Sequence, residues 1–225
     1  MRVGLILPVF ERFTDKALTV ARHAEAEGID GVFSYDHLFP INRPDRPALA
    51  AIQVLAAVAC HTDHIRLGTL VSRVNLLPGP VLVAALTTLD RIAPGRVIAG
   101  IGVGDSLTKR ENFTYGLPFP PVSSRLAAAR EVARSLRNHG LCVWIGGRSS
   151  RVRDLAQREA DGWNCWDCSP EQLAWGGAPP AGDELSSHLR SLESAGVAWV
   201  VYGPPPLTDW RRFVSELAGA AQGVH

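Results

Sequence analysis

The sequence predicts an α/β fold, an eight-stranded (β/α)8 TIM barrel. Short β-branched runs alternate with longer segments of helical period along the whole chain, which is typical of parallel strands joined by helices. The chain has 225 residues, whereas such barrels have about 250 with a lower limit near 200. No long linker, charge block or internal repeat divides it. We therefore expect a single barrel domain over residues 1–225, with its sixth or seventh unit trimmed.

The first half of the chain predicts four strands and three helices. Thr14 can cap the first helix and Gly28 can end it, and Pro80 can open the third helix. The predicted strands cover residues 2–9, 31–35, 65–71 and 96–101, and the helices cover 14–28, 48–60 and 80–92.

The second half predicts four more strands, one of them very short. Ser123 or Ser124 can cap a helix that Gly140 ends, and Thr208 can cap the last helix. Between Asp167 and Asp183 there is room for one short strand without a full helix before it. The predicted strands cover residues 142–145, 163–166, 173–176 and 197–202, and further helices start near residues 150 and 185.

Composition excludes several classes of protein. The 23 basic and 22 acidic residues give a net charge of +1, so no nucleic-acid surface is expected. The longest uncharged apolar stretch, residues 74–89, is broken by Pro78 and Pro80, so no membrane span is expected. The apolar residues 5–10 are too few for a secretory signal, and four cysteines are too few for a disulfide framework. These features favour a cytoplasmic protein.

Two glycine-rich segments follow predicted strands, where the loops of a parallel barrel form the functional face. Gly100, Gly102 and Gly104 could let backbone amides approach an anionic or planar ligand, although tight packing explains them equally well. Residues 146–150, Gly-Gly-Arg-Ser-Ser, lead directly into a helix and predict a phosphate site at its N-terminus. The alternative is that Ser149 or Ser150 simply caps that helix.

Asp36 and His37 end the second predicted strand. A histidine there could exchange a proton at the barrel mouth, or it could be a hydrogen-bonded packing residue. Cys165 and Cys168 have the spacing of redox and metal motifs. No second pair completes a zinc site and the thioredoxin-type context is absent, so no metal is expected.

Four blocks in this order carry a family resemblance: residues 36–38, 88–104, 143–147 and 160–163. Together they resemble the bacterial luciferase-like monooxygenase superfamily over nearly the whole chain. Residues 102–118 are similar to the branch that uses the deazaflavin coenzyme F-420 in place of a flavin. The chain departs from the family by lacking an insertion before residue 142 and a full unit between residues 167 and 183.

The resemblance implies a redox ring in the barrel mouth. It implies that His37 and Asp36 are catalytic, and that residues 69–73 lie beside the ring, often with a non-proline cis peptide. Arg73, Lys109, Arg110 and Arg148 could meet an anionic tail of the coenzyme. The residues that the resemblance and the loops together assign to the coenzyme are Thr69, Val71, Gly102, Val103, Gly104, Asp105, Gly146, Gly147, Arg148 and Ser149.

The expected function is hydride transfer between coenzyme F-420 and a small organic substrate, with His37 exchanging the accompanying proton and Asp36 orienting it. Two alternatives stay open: an FMN-dependent luciferase-like monooxygenase, and a catalytically silent flavin- or deazaflavin-binding protein. The expected partner is a small-molecule substrate, with neither nucleic acid nor membrane, and a homodimer stays open.

Overall fold

Parallel strands form a closed barrel in the computed structural model, which describes residues 1–166, 174–180, 184–203 and 209–223. The strands are β1 (Arg2–Ile6), β2 (Gly31–Ser34), β3 (Arg66–Thr69), β4 (Ser72–Arg73), β5 (Val97–Gly102), β6 (Cys142–Gly146), β7 (Gly162–Trp166), β8 (Ala174–Gly177) and β9 (Trp199–Tyr202). The helices are α1 (Asp15–Ala26), α2 (Ala51–Ala59), α3 (Gly79–Ile92), α4 (Lys109–Thr114), α5 (Val122–Asn138), α6 (Ser150–Glu159), α7 (Glu184–Ser194) and α8 (Trp210–Gln222).

The barrel closes through two contacts between strands that are distant in the chain. β1 pairs with β9, and β3 pairs with β5 through Leu67 and Val97. β4 is a two-residue strand that continues the direction of β3 and pairs with the end of β5. Eight strands therefore form the barrel proper, which confirms the predicted fold class.

The very short strand predicted at residues 173–176 is present as β8, which is hydrogen-bonded between β7 and β9. It follows β7 after the seven residues 167–173, which lie outside the described residues. A parallel connection usually takes a dozen or more residues, so this unit is shorter than a standard one. The predicted trimming therefore falls between β7 and β8.

Large side chains fill the barrel interior below the strand ends. Phe33 stacks on Trp144 with ring centroids 5.5 Å apart and meets Trp199 edge-on at 5.7 Å. A β-carbon at Gly4 would lie 2.7 Å from the Phe33 ring, so glycine there makes room for it. A second apolar layer packs the helices against the outside of the strands. Because the interior is packed, ligands can enter only at the ends of the strands.

Several helix starts differ from the sequence prediction. α5 begins at Val122 with Pro121 as its N-cap, so Ser123 and Ser124 lie inside the helix. Proline already restricts φ at this position, and no serine cap is needed to start the helix. Thr14 occupies the N-cap of α1 without a side-chain hydrogen bond. Thr208 lies outside the described residues, and α4 was not predicted.

Among the described helices, none has the length and apolar character needed to cross a bilayer.

Candidate active site

The segment between β3 and β4 contains a non-proline cis peptide, between Leu70 and Val71. This confirms the expectation of such a bond within residues 69–73. Thr69 stands just before it, fully buried, and its hydroxyl donates to the carbonyl of Gly100 at 2.6 Å. Thr69 therefore ties this segment to β5 at the carboxyl ends of the strands.

Val71 packs against the two glycine-rich strand ends. Gly102 and Gly146 are direct neighbours across β5 and β6. A β-carbon at Gly146 would lie 2.6 Å from Cγ1 of Val71, and one at Gly102 would clash with Cγ2 of the same side chain. Val71 thus fills the space next to both glycines, and for Gly102 this is what the tight-packing alternative predicts. Val71 itself is partly exposed, so it lines the mouth.

Arg125 holds the loop after β5. Its guanidinium donates to the carbonyls of Val103 and Gly104, the latter at 2.6 Å, and to that of Pro120 at 3.0 Å. It also lies over the ring of Phe119, 4.2 Å from the centroid. Burial lowers the pKa of Arg125. The conformation of this loop therefore depends on a side chain from α5.

Asp105 is engaged within the same loop. Its Oδ1 accepts from the backbone N–H groups of Leu107 and Thr108, both at 3.0 Å. Gly104 has a φ of +69°, a left-handed backbone conformation that glycine adopts without steric cost because it has no β-carbon. Asp105 thus stabilises the turn that leads into α4, a role that the sequence did not suggest.

The loop after β6 presents the N-terminus of α6. Ser149 is the N-cap, and its hydroxyl accepts from the N–H of Val152 at 3.3 Å, so the capping alternative applies to this side chain. The N–H of Gly147 donates to the carbonyl of Asn164 at 3.0 Å and is not available to a ligand. Arg148 is exposed beside the helix start. The remaining donors are the backbone N–H groups of Ser150 and Arg151 in the first turn of α6, which have no partner within a helix.

A buried ion-pair network supports His37. Nδ1 of His37 lies 3.0 Å from Oε1 of Glu111, and Oε2 of Glu111 lies 2.5 Å from a terminal nitrogen of Arg73. The exposed fraction is 2% for Glu111 and 4% for Arg73, against 18% for His37. With Nδ1 held by Glu111, the other ring nitrogen of His37 is the one that can meet a ligand.

Arg73 is the centre of this network. It also donates to Oδ1 of Asn112 at 3.3 Å and to the carbonyl of Asp36 at 3.4 Å. Burial lowers the pKa of Arg73, and the charge of Glu111 opposes that effect. The expectation that Arg73 meets an anionic tail therefore needs correction, because its charge is already paired inside the protein. The sequence carries no local signal that Arg73 pairs with Glu111, because the two residues are far apart in the chain.

Asp36 is close to the same network. Burial raises the pKa of its carboxyl, and the positive charge of Arg73 opposes the shift. A carboxyl whose ionised form is disfavoured by burial is typical of functional sites, although structural networks produce it too.

In the segment that follows Val71, Arg73 and Asn75 have buried atoms with no hydrogen-bond partner: Nε of Arg73, and both the nitrogen and the oxygen of the Asn75 amide. Such atoms are rare in folded proteins and call for an explanation such as a bound polar group. No group of three or more potential metal ligands occurs among the described residues. Cys165 is disulfide-bonded, and Cys168 lies outside the described part of the chain.

Two aromatic rings lie next to the ring of His37. Phe10, after β1, and Tyr35, after β2, have ring centroids 6.1 and 6.0 Å from that of His37. Trp166, at the end of β7, contacts Tyr35 at 5.8 Å. Since β2 and β7 lie on opposite sides of the barrel, these two rings meet across its mouth.

Comparisons with known proteins give the family of the chain and proteins of similar fold. Residues 1–139 match the family described as luciferase-like monooxygenase. The chain is 37% identical over 123 residues to the F-420-dependent glucose-6-phosphate dehydrogenase of Kineococcus radiotolerans, covering 54% of this chain and 36% of that protein. It is 34% identical over 183 residues to the enzyme of the same name from Nakamurella multipartita, covering 80% and 52%.

The chain thus spans about a third to a half of the length of these curated relatives. Among solved structures, an F-420-dependent secondary alcohol dehydrogenase in complex with an F-420–acetone adduct superposes with a TM-score of 0.80 at 14% identity. That superposition covers 100% of this chain and 99% of the other. At this identity the likeness concerns the fold.

Proposed function

Because the chain belongs to the luciferase-like monooxygenase family, we propose that it is an oxidoreductase that transfers a hydride between the deazaflavin coenzyme F-420 and a small organic substrate. The observation that carries this proposal is the network in which buried Glu111, paired with Arg73, holds His37 at the barrel mouth. The names of the curated relatives support the choice of coenzyme.

The residues around Val71 would hold the ring of the coenzyme. Thr69 and Val71 would support one face, and the unpartnered Asn75 amide would meet a polar ring edge. Gly102 and Gly146 would act indirectly by seating Val71, and Val103, Gly104 and Asp105 would shape the adjoining loop. When bound, the coenzyme would supply two-electron hydride chemistry that side chains alone lack.

The loop after β6 would hold the phosphate. The first amides of α6 and the positive end of its dipole favour an anion, and the exposed guanidinium of Arg148 adds a charge-assisted hydrogen bond. Gly147 and Ser149 would set the loop and helix start, since their own polar groups are partly used within the protein.

His37 would exchange the proton that carbonyl reduction or alcohol oxidation requires. Glu111 would fix the ring orientation and tautomer through Nδ1, which leaves Nε2 to face the substrate oxygen. Asp36, which interacts electrostatically with Arg73 and His37, would contribute to the electrostatic field around the histidine. Positioned proton transfer of this kind typically contributes about 10²–10⁴-fold to the rate.

The test is a pair of binding titrations of the purified protein, one with coenzyme F-420 and one with FMN, followed by turnover assays with the bound coenzyme. We expect binding of F-420 and reduction or oxidation of its ring in the presence of substrate. Binding of FMN alone would favour the monooxygenase alternative. Binding without any turnover would favour a silent cofactor-binding protein.

Two finer expectations also stay proposals. A homodimer is supported by α2, in which Gln53 is the one polar residue and whose outer side includes the partly exposed Ile52 and Ala56. Sedimentation velocity would check the mass in solution. A cytoplasmic location also stays a proposal, and fractionation of the source cells would check it.

A further inference from the structure

The mouth of the barrel has an aromatic wall, defined as Phe10, Tyr35 and Trp166. Phe10 stacks on Tyr35 with centroids 6.0 Å apart and an interplanar angle of 22°, and Tyr35 meets Trp166 at 5.8 Å and 71°. All three side chains are partly exposed. His37 lies against both Phe10 and Tyr35. The group proposed to exchange a proton therefore stands beside an apolar surface.

The three arginines of the loops after β1 and β2 already make contacts within the protein. In the loop after β1, the guanidinium of Arg12 lies over the ring of Phe13 at 5.6 Å. In the loop after β2, Arg43 pairs with Asp45 at 3.0 Å. Arg46 donates to the carbonyl of Phe10 at 3.2 Å, which also ties the wall to this loop.

The segments after the last three strands add no positive charge by sequence. In sequence, residues 167–183 and 203–209, which follow β7, β8 and β9, contain neither lysine nor arginine. Arg73, the buried cation nearest to His37 in the network, is paired with Glu111. A phosphate packed on the three rings would thus lose water without gaining a cation from the wall itself, which is unfavourable.

We propose that the substrate is an uncharged, mainly apolar small molecule with one hydroxyl or carbonyl group, whose carbon skeleton packs on the aromatic wall while its oxygen meets His37. A sugar phosphate does not suit this surface. Calling the ligand a substrate rests on the proposed function, whereas its binding to the wall does not. The wall provides stacking and apolar contact, and the ring of His37 provides a polar contact that fixes orientation.

The test measures binding calorimetrically with cyclohexanol, cyclohexanone and glucose 6-phosphate, each with and without bound coenzyme. We expect cyclohexanol or cyclohexanone to bind at least about 10-fold more tightly than glucose 6-phosphate. Phe10→Leu, Tyr35→Leu and Trp166→Leu should each weaken that binding by about 3- to 10-fold through lost ring contact. Phe113→Leu on α4, whose ring is 59% exposed outside the wall, is the matched control and should change nothing.

Tighter binding of glucose 6-phosphate than of the neutral probes would overturn the inference. So would an affinity for the neutral probes that is the same in the parent protein and in all three wall variants. Melting curves check that each variant folds. If Tyr35→Leu or Trp166→Leu fails to fold, Tyr35→Phe, Trp166→Phe and the loop variant Phe10→Leu carry the test. Failure to bind any redox coenzyme while the neutral probe still binds the wall would refute the proposed function alone. Coenzyme-dependent turnover of glucose 6-phosphate in preference to the alcohol would refute this inference alone.

Discussion

Nδ1 of His37 lies 3.0 Å from Oε1 of Glu111, although the two residues are 74 positions apart in the sequence. The carboxylate that holds the histidine is itself neutralised by Arg73 and almost fully buried. A buried charge of either sign is costly when its partner is removed. The orientation of His37 thus depends on an ion pair built from the segments after β3 and β5.

Removing the charge of Glu111 should impair turnover more than coenzyme binding. In Glu111→Gln, an amide replaces the carboxylate, Arg73 loses its counter-charge and His37 loses a strong acceptor. We expect kcat to fall by about 10- to 100-fold, and His37→Ala to lower it by about 10²–10⁴-fold. Steady-state kinetics measure kcat, and a coenzyme titration measures the affinity for the coenzyme.

Glu111→Asp is the conservative comparison and should retain more activity than Glu111→Gln. A parallel loss of coenzyme affinity and kcat in Glu111→Gln, with no difference between the two variants, would indicate a purely structural role. Unchanged kcat in His37→Ala would remove the histidine from the reaction.

Adding a methyl group at Gly146 should destabilise the fold through Val71. The new β-carbon would lie 2.6 Å from Cγ1 of Val71, and overpacking of this kind costs about 1–3 kcal/mol. Urea unfolding of Gly146→Ala, of Val71→Ala and of the double variant measures the coupling between the two sites. We expect the double variant to be more stable than the sum of the single effects predicts.

Gly219→Ala in α8 is the control, because a β-carbon there would meet nothing within 4 Å. It should be neutral or stabilising by up to about 1 kcal/mol. Strict additivity of the Gly146 and Val71 effects would show that the two side chains do not compete for this space.

Arg148 should contribute to coenzyme affinity through its charge. We expect Arg148→Gln to weaken F-420 binding by about 3- to 10-fold and to make the remaining affinity less dependent on salt, since an exposed ion pair is screened. Arg153→Gln is the control, because Arg153 lies further along α6 over the ring of Trp163. Equal effects of both variants would mean that the net charge of α6 matters, and not a specific contact.

Glu25 should make stability depend on acid pH. Burial by itself would raise the pKa of this carboxyl, but backbone N–H groups of His64, Ile65 and Asp63 donate to it, and its pKa is lowered overall. A lowered folded-state pKa means that the stabilisation is fully present above the unfolded value near 4.5 and is lost as pH falls through the folded value.

The variant Glu25→Gln should therefore lower the free energy of unfolding by about 1–3 kcal/mol at pH 7, through weaker and fewer hydrogen bonds. The difference from the parent protein should shrink as the pH is lowered toward 3. Glu216→Gln, which removes an exposed pair with Arg212, is the control and should have little effect. A difference that stays constant with pH would contradict the role of the ionised carboxylate.

Local signals were sufficient for most of the barrel. Gly28 and Gly140 follow α1 and α5 with φ of +84° and +83°, which glycine adopts at helix ends without steric cost. Ser149 caps α6 as a hydroxyl at that position can. The β-branched runs became strands because their apolar residues are buried on both faces of a parallel sheet. The sequence does not predict α4, because this helix is short and its apolar residues show no clear helical period.

By itself, the sequence determined the alternation of strands and helices, the family resemblance and the position of His37 at a strand end, because these depend on residues close together in the chain. Only the tertiary structure decided that Glu111 pairs with both His37 and Arg73, and that Val71 fills the space left by Gly102 and Gly146. Those contacts join segments separated by tens of residues, and their geometry exists only once the barrel closes and excludes water from the groups it brings together.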